Sequence, residues 1–363
     1  MKIAITTIQN SSNYGAMLQT YALQEFLKDK GHQVSIVNYD NRFMSKGLDQ
    51  IRHGLSKFEL YYMLIDIMNY VERKNMIQKF HEFSSTKLCL SKLMSKEELL
   101  EGNKFNDYDL FISGSDQIWN PNVTNNTVDE VYFCGMAPQN ANIISYSSSL
   151  GGYDFTNEEM NLRIKEYLEK YKMIAVRENS YIPRLTKLTN KEIYKVLDPV
   201  FLLNKNEWIE KFDLSDTCNG DSYVLIYAMS KHNDVIDLVQ QKYGKTKKIK
   251  IIYQPLFRKK NIEYIVDAGP KEFIELFLNA ERIVTNSFHG LAFGLIFNKQ
   301  VSVLDNARNM NRIYDLLNSL GLTEVLSSKS QLTCTSIDYC NVKPKLEELI
   351  NKSKKYLNEG LKW

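Results

Sequence analysis

Short apolar runs alternate with segments of helical period along the chain. Lys2 to Ile8 is β-prone, Asn10 to Gly15 is a polar loop, and a helix is expected from there to about Lys30. Leu18, Ala22 and Phe26 mark one face of that helix, with Leu23 and Leu27 beside them; Gly31 stops it, and Gln33 to Tyr39 forms the next strand. This strand–loop–helix–strand unit predicts the start of a parallel α/β sheet. Residues 42–105 are mostly helical and less regular, as in an insertion or a cap. Their greasiest part, Phe58 to Val71, is interrupted by Glu59, Asp66 and Asn69, which suits a docked or lid helix, with a membrane-surface element as the other reading.

Further strands are expected at Tyr108–Ile112, Ile143–Ser147, Met173–Val176 and Tyr194–Leu197. Thr156 and Glu159 have the spacing of a capping box before a helix that carries Met160, Ile164, Tyr167 and Tyr171, and residues 179–190 read as another helix. After Asp198-Pro199 the alternation restarts, with strands at Tyr223–Ala228, Lys250–Tyr253, Arg282–Val284 and Val301–Leu304. Helices are expected over Asp234–Tyr243, from Pro270 with Phe273, Leu276, Phe277 and Ala280 inward, over Arg308–Leu320 up to Gly321, and from Pro344 to the end. The pattern predicts an α/β protein of two domains, 1–200 with the helical insertion 42–105 and 201–343, and a helix 344–363 crossing back to the first. A cleft between the domains is the expected ligand site.

Composition narrows the class. A chain of 363 residues exceeds one growing core, and 44% hydrophobic with 25% charged residues is ordinary for a globular protein. The net charge of +3 is too small to imply nucleic acid, and the basic run Lys245–Lys250 reads as a solvated loop face. Five scattered cysteines, without a CxxC pair, argue against a disulfide framework or a structural zinc site and suit a reducing cytoplasm. The opening MKIAITTIQNSSNYG turns polar too soon for a signal peptide, and no run reaches the ~20 apolar residues of a spanning helix. P-loop, nucleophile-elbow and HExxH patterns are absent, so no metal or nucleotide cofactor is indicated.

Three polar loops follow predicted strands. In Thr285-Asn286-Ser287-Phe288-His289-Gly290 a helix can begin near His289, and a helix start stabilises an oxyanion through its unpaired N–H groups and dipole. Ser287 can donate a hydrogen bond, Gly290 can let backbone approach, and His289 can bind an anion or give a proton. The bland alternative makes Ser287 a cap and packs His289 against its neighbours. Ser12-Asn13-Tyr14-Gly15 is a second anion-friendly turn, equally readable as a tight turn needing Gly15. In Ser113-Gly114-Ser115-Asp116-Gln117-Ile118-Trp119, Asp116 suits a general base for a sugar hydroxyl and Trp119 a stacking platform, against a plain solvent-facing turn. Arg177, also just past a strand, suits bidentate contact with carboxylate or phosphate, or an ion pair with Glu178 or another acid. Arg308 and Arg312 are weaker cationic candidates.

Asn13-Tyr14-Gly15-Ala16 with Leu18-Gln19, Ile112 to Pro121, Ala175 to Glu178, Asp198 to Leu203 and Thr285 to Gly290 together resemble polysaccharide pyruvyl transferases. The matches run in family order, to Leu320-Gly321-Leu322. The resemblance implies two facing Rossmann-like domains similar to the GT-B glycosyltransferases, acceptor side first and donor side second. It implies transfer of pyruvyl from phosphoenolpyruvate to two hydroxyls of a sugar in a cell-surface polysaccharide or its precursor, as a ketal. Arg177, Ser287, His289 and Gly290 would then hold phosphoenolpyruvate. Asp116, His289 and Arg177 would be catalytic, and Asn13, Tyr14, Gly15, Ser115, Gln117 and Trp119 would line the acceptor cleft. The implied partners are phosphoenolpyruvate and a sugar, glycan or lipid-linked saccharide, in the cytoplasm or peripherally at the inner face of the membrane. Alternatives are an inverting glycosyltransferase with a nucleotide-sugar donor and a non-catalytic glycan-binding protein.

Overall fold

The computed structural model describes residues 1–54, 56–215, 222–305, 310–328, 331–333 and 335–362. Tertiary contacts divide the chain into two units, one of Met1–Gly47, Glu82–Leu203 and Glu347–Trp363, the other of Leu48–His81 and Asn204–Leu346. The helical stretch 42–105 is therefore shared: the Lys57–Met68 helix belongs to the second unit, and the Tyr70–Lys87 helix begins there and ends in the first.

In the first unit the short apolar runs form β1 (Lys2–Thr6), β2 (Gln33–Ile36), β3 (Leu110–Ser113), β4 (Asn142–Ser145), β5 (Ile174–Val176) and β6 (Ile193–Lys195). The order β2-β1-β3-β4 is parallel throughout, with Ile3 opposite both Val34 and Leu110. β5 and β6 pair in parallel, and bridges from Ile144 to Met173 and from Ser148 to Val176 carry the pairing from β4 to β5. Both faces of the sheet are covered, which explains why β3 is apolar without alternation. Side chains still alternate by face: Ile3, Ile5 and Ile112 enter one core with Leu23, Leu27 and Leu357, whereas Ala4, Phe111 and Ile143 enter another with Trp119 and Phe133.

The helix after β1 runs from Tyr14 to Asp29, and the Asn13 side chain caps it by accepting from the amides of Gly15 (3.0 Å) and Ala16 (3.3 Å). Gly31 turns the chain out of it with φ of +81°. The Glu158–Leu168 helix is capped by Asn157, which accepts from the Met160 amide; Thr156 instead bonds Asp154, so the expected Thr156 capping box does not form. Residues 179–190 hold only two short turns, Asn179–Tyr181 and Ile182–Leu185.

The second unit contains β7 (Tyr223–Tyr227), β8 (Lys248–Ile252), β9 (Glu263–Ile265), β10 (Arg282–Thr285), β11 (Gln300–Leu304) and β12 (Leu326–Ser327), in the parallel order β12-β11-β10-β7-β8-β9. Each unit is thus a Rossmann-like lobe, a parallel sheet with helical connections, and the α/β class read from the alternation holds. The two outermost strands, β9 and β12, were not expected: β9 opens on exposed Glu263 and is only partly buried, and β12 has two residues. The helix expected at Arg308–Leu320 spans Asn311–Leu320 and ends at Gly321 with φ of +69°; Arg308 lies outside the described residues. The last helix starts at Tyr339 rather than Pro344, because the Asp338 side chain accepts from the Cys340 amide and opens the helix earlier. Its far end packs in the first unit, where Tyr356 donates to the Ser145 carbonyl at 2.8 Å.

The Phe288–Ile296 helix is buried from end to end against β10 and β11. A Cβ at Gly294 would lie 2.5 Å from Val301 Cγ2 and 3.3 Å from Ile283 Cδ1. Gly294→Ala should therefore destabilise the protein by about 1–3 kcal/mol, although alanine is the better helix former by about 1 kcal/mol. The measurement is the urea midpoint, which should fall at unchanged slope.

Candidate active site

At the carboxyl edge of the first sheet the chain turns sharply after β3, and Asp116 takes φ of +69°. Aspartate tolerates this left-handed conformation better than most residues, and such positions concentrate at functional sites. The turn is held from both sides. The Asp116 carbonyl accepts from the Ser149 amide (3.0 Å), its carboxylate accepts from the Gln117 amide (2.9 Å), and Asp116 bridges Ser148 in parallel. Arg177, directly after β5, points its guanidinium into the same region. Its Nη1 donates to Asp198 Oδ2 at 2.7 Å, its Nε to Glu178 Oε1 at 3.2 Å, and its Nη2 lies 3.6 Å from Asp116 Oδ1. Burial alone would lower the Arg177 pKa, but Glu178, Asp198 and Asp116 more than offset it, and the guanidinium is raised above its ordinary value.

One buried cation thus faces three carboxylates. That is the ion-pair arrangement weighed for Arg177 in the sequence, extended from Glu178 to two further acids. A group so surrounded repels an incoming phosphate or carboxylate. It is, however, well placed to orient Asp116. Asp198 is the partner that reading individual loops missed. Its carboxylate also accepts from Ser115 Oγ (3.1 Å) and from the Val200 amide (3.1 Å), capping the Pro199–Leu202 turn. The available signal was its place at the head of the Asp198-Pro199 motif.

Several residues expected to line an acceptor cleft have other surroundings. Trp119 is 1% exposed, stacked on Phe133 at 5.0 Å and 7°, and its Nε1 donates to Ser113 Oγ at 2.9 Å. It cannot stack on a sugar, because core aromatics already cover it; the expectation is corrected. Ser115 is wholly buried within the Asp198 network, so it too is a scaffold residue. Asn13 serves as the helix cap, with Tyr14 and Gly15 buried in the first turn behind it. Gln117 remains partly exposed and accepts from Asn120 Nδ2 at 3.1 Å.

In the second unit β10 ends at Thr285, and Ser287 caps the helix that follows, accepting from the Gly290 amide at a long 3.5 Å. Thr285 Oγ1 donates to the Tyr227 carbonyl (2.6 Å) and accepts from the Ser287 amide (3.0 Å). Asn286 ties this turn to the one after β7, accepting from the Met229 amide (2.7 Å) and donating to the Ser230 carbonyl (3.1 Å). A Cβ on Gly290 would meet Thr285 Oγ1 at 2.1 Å, so the glycine admits the threonine and not, as expected, a ligand's approach to backbone. His289 is the second residue of the helix, 6% exposed, with its ring edge-on to Phe288 at 5.4 Å. The Arg312 guanidinium stands 5.9 Å from the Phe288 ring. A helix start, a hydroxyl and an imidazole thereby stand together after β10, a set suited to an oxyanion, with the Arg312 guanidinium against the Phe288 ring. Nearby, His232 stacks on Tyr253 at 3.8 Å and bonds the Ala228 carbonyl at 2.9 Å. Burial lowers its pKa, and the carbonyl bond offsets only part of that effect.

The family model described as polysaccharide pyruvyl transferase matches residues 13–308. No curated protein matches the chain in sequence. Among solved structures, the chain is similar to a UDP-N-acetylglucosamine 2-epimerase from Rickettsia bellii, with TM-score 0.49 and 11% identity over 100% of this chain and 96% of that one. It is also similar to the UDP-GlcNAc 2-epimerase from Neisseria meningitidis bound to UDP-GlcNAc, with TM-score 0.49 and 12% identity over 99% of each chain. The glycosyltransferase SnogD from Streptomyces nogalater overlaps with TM-score 0.47 and 12% identity, again over 99% of each chain. At this level of overlap the fold assignment rests on the strand order and register of the chain itself.

Arg177→Met should lower stability by about 3–5 kcal/mol, because Asp116, Glu178 and Asp198 lose their shared counter-charge; chemical denaturation reads this directly. Stability should also fall as pH drops below the ordinary histidine value of 6.5. There the unfolded chain takes up a proton that buried His232 refuses until its own lower pKa is reached. His232→Gln should flatten that part of the stability–pH curve.

Proposed function

The chain belongs to the polysaccharide pyruvyl transferase family, and on that premise we propose that phosphoenolpyruvate is the pyruvyl donor and a sugar, glycan or lipid-linked saccharide the acceptor. The enzyme transfers a pyruvyl group onto a polysaccharide; the donor, the form of the acceptor and the role of each residue are our reading. The observation that carries it is the extent of the family match, residues 13–308, which contains Asp116, Arg177, Ser287 and His289.

Phosphoenolpyruvate carries two anionic groups and a nucleophilic methylene. Protonating the methylene leaves an oxocarbenium-like centre at C2. A sugar hydroxyl attacks that carbon and gives up its proton to a base. The C2–O bond to phosphate breaks, and a second hydroxyl adds to C2 and passes its proton to the released phosphate, closing the ketal. Charge gathers on the departing phosphate, where fixed donors contribute most. We assign the donor anion to the second unit, with Ser287, His289 and the helix start as its ligands, and His289 as the group able to supply the proton. Arg312 is the added cation there.

We assign the base to Asp116 in the first unit. Arg177 then acts as a positioning residue for Asp116 rather than as a donor ligand, since its guanidinium is engaged by carboxylates. Gln117, partly exposed beside Asp116, is the acceptor contact that fits best.

His289→Ala should reduce phosphate release from phosphoenolpyruvate in the presence of acceptor by about 10²–10⁴-fold, with an unchanged circular dichroism spectrum. Asp116→Asn should abolish transfer to a similar extent yet keep phosphoenolpyruvate binding by calorimetry. Loss of binding with chemistry retained would remove Asp116 from the base role. Binding of a nucleotide sugar in place of phosphoenolpyruvate would overturn the donor assignment itself.

A further inference from the structure

The Lys57–Met68 helix buries one narrow side in its own unit, through Ile65 and Asp66. Asp66 is held there by Arg52 Nε at 2.9 Å. Just past the helix end, buried Asn69 donates to the Pro255 carbonyl at 3.0 Å. The opposite side is equally apolar. Leu60, Tyr61, Leu64, Ile67 and Met68 recur at spacings of three and four, continue onto Val71 of the next helix, and are all exposed. A water-facing helix normally turns charge outward, so an apolar ridge of this length marks an interaction surface.

The loop beside Asn69 has the same character. Phe257 is 80% exposed and is followed by Arg258, Lys259 and Lys260. Arg258 Nη2 lies 3.7 Å from Glu72 Oε1, which places this loop next to the ridge. Lys57 and Phe58 extend the pattern at the other end, with Phe58 79% exposed.

We propose that this ridge and the Phe257 loop dock the protein on an anionic lipid surface. Apolar and aromatic side chains on a helix lying in the interface enter the acyl boundary, while neighbouring lysine and arginine reach the headgroups. Phe257 with exposed Lys260 at one end of the ridge and Phe58 with exposed Lys57 at the other suit that boundary, while Arg258 and Lys259 are partnered by Glu72 and Asp237. A second copy of the chain would have to bury the Lys260 charge with the Phe257 ring in each subunit. Among the described residues no helix is long and apolar enough to cross a membrane, so the association is peripheral. The proposal stands independently of the donor assignment.

The test is co-sedimentation of the full chain with phosphatidylcholine vesicles that contain or lack phosphatidylglycerol, at low and high salt. Binding should require the anionic lipid and weaken with salt. Leu64→Glu combined with Ile67→Glu should weaken it by more than about tenfold, and Lys260→Ala by about fivefold. These side chains are exposed, so the fold should survive, and circular dichroism checks that it does. No binding, or equal binding to neutral vesicles, would overturn the proposal. So would a concentration-dependent dimer that the double variant abolishes, which would assign the ridge to a second copy. Pyruvyl transfer is not the readout, so none of these results bears on the donor.

Discussion

A single buried guanidinium holds together the first unit's candidate chemistry. Arg177 leaves β5 and meets carboxylates from the turn after β3, from its own neighbour and from the turn before Pro199. Burying so many charges adds little net stability, because desolvation consumes most of the Coulomb gain. What it supplies is a specified arrangement: three chain segments far apart in sequence must all be in place for the full set of ion pairs to form. The left-handed backbone at Asp116 is held by the same closure, with the Ser149 amide on its carbonyl and the Gln117 amide on its carboxylate.

The two units divide the electrostatics. One cation among three acids gives the turns of the first a surplus of carboxylates. The second unit offers a helix start with Ser287, His289 and Arg312, groups that donate hydrogen bonds or carry positive charge. Both sets sit at the carboxyl ends of parallel strands, where the chain leaves the sheet and loop side chains are free to vary over a rigid frame.

The alternation of strand and helix was legible because it is local. β1, β3, β7 and β10 are apolar runs bounded by polar turns, and the Asn13 and Ser287 positions show their caps in one dimension. The roles of Trp119 and Ser115 were not legible, because a tryptophan on a polar loop has the same sequence whether it faces a ligand or Phe133. Asp198 was visible as a motif residue, yet its pairing with Arg177 spans 21 residues and depends on β5 and β6 lying side by side. Gly290 illustrates the same limit. The sequence shows that a Cβ is absent, and only the packing shows that Thr285 fills the space. β9 escaped notice because exposed Glu263 opens it and none of its residues is fully buried, and β12 because it is two residues long.

The last helix begins in the second unit and ends in the first, where Tyr356 and Leu357 join the core built on Ile3, Ile5 and Leu23. Ser353 there accepts from the Leu197 amide at 2.9 Å, and the Tyr356 hydroxyl meets the Ser145 carbonyl. During synthesis the amino-terminal half therefore leaves the ribosome with one side of its sheet incompletely covered. It stays so until residues 353–357 have been made. The second unit also draws on late residues, since Leu332 sits in its core and Ser302 Oγ donates to the Thr333 carbonyl at 2.7 Å. The core built on the first strand is therefore closed by residues made after every strand of the second unit.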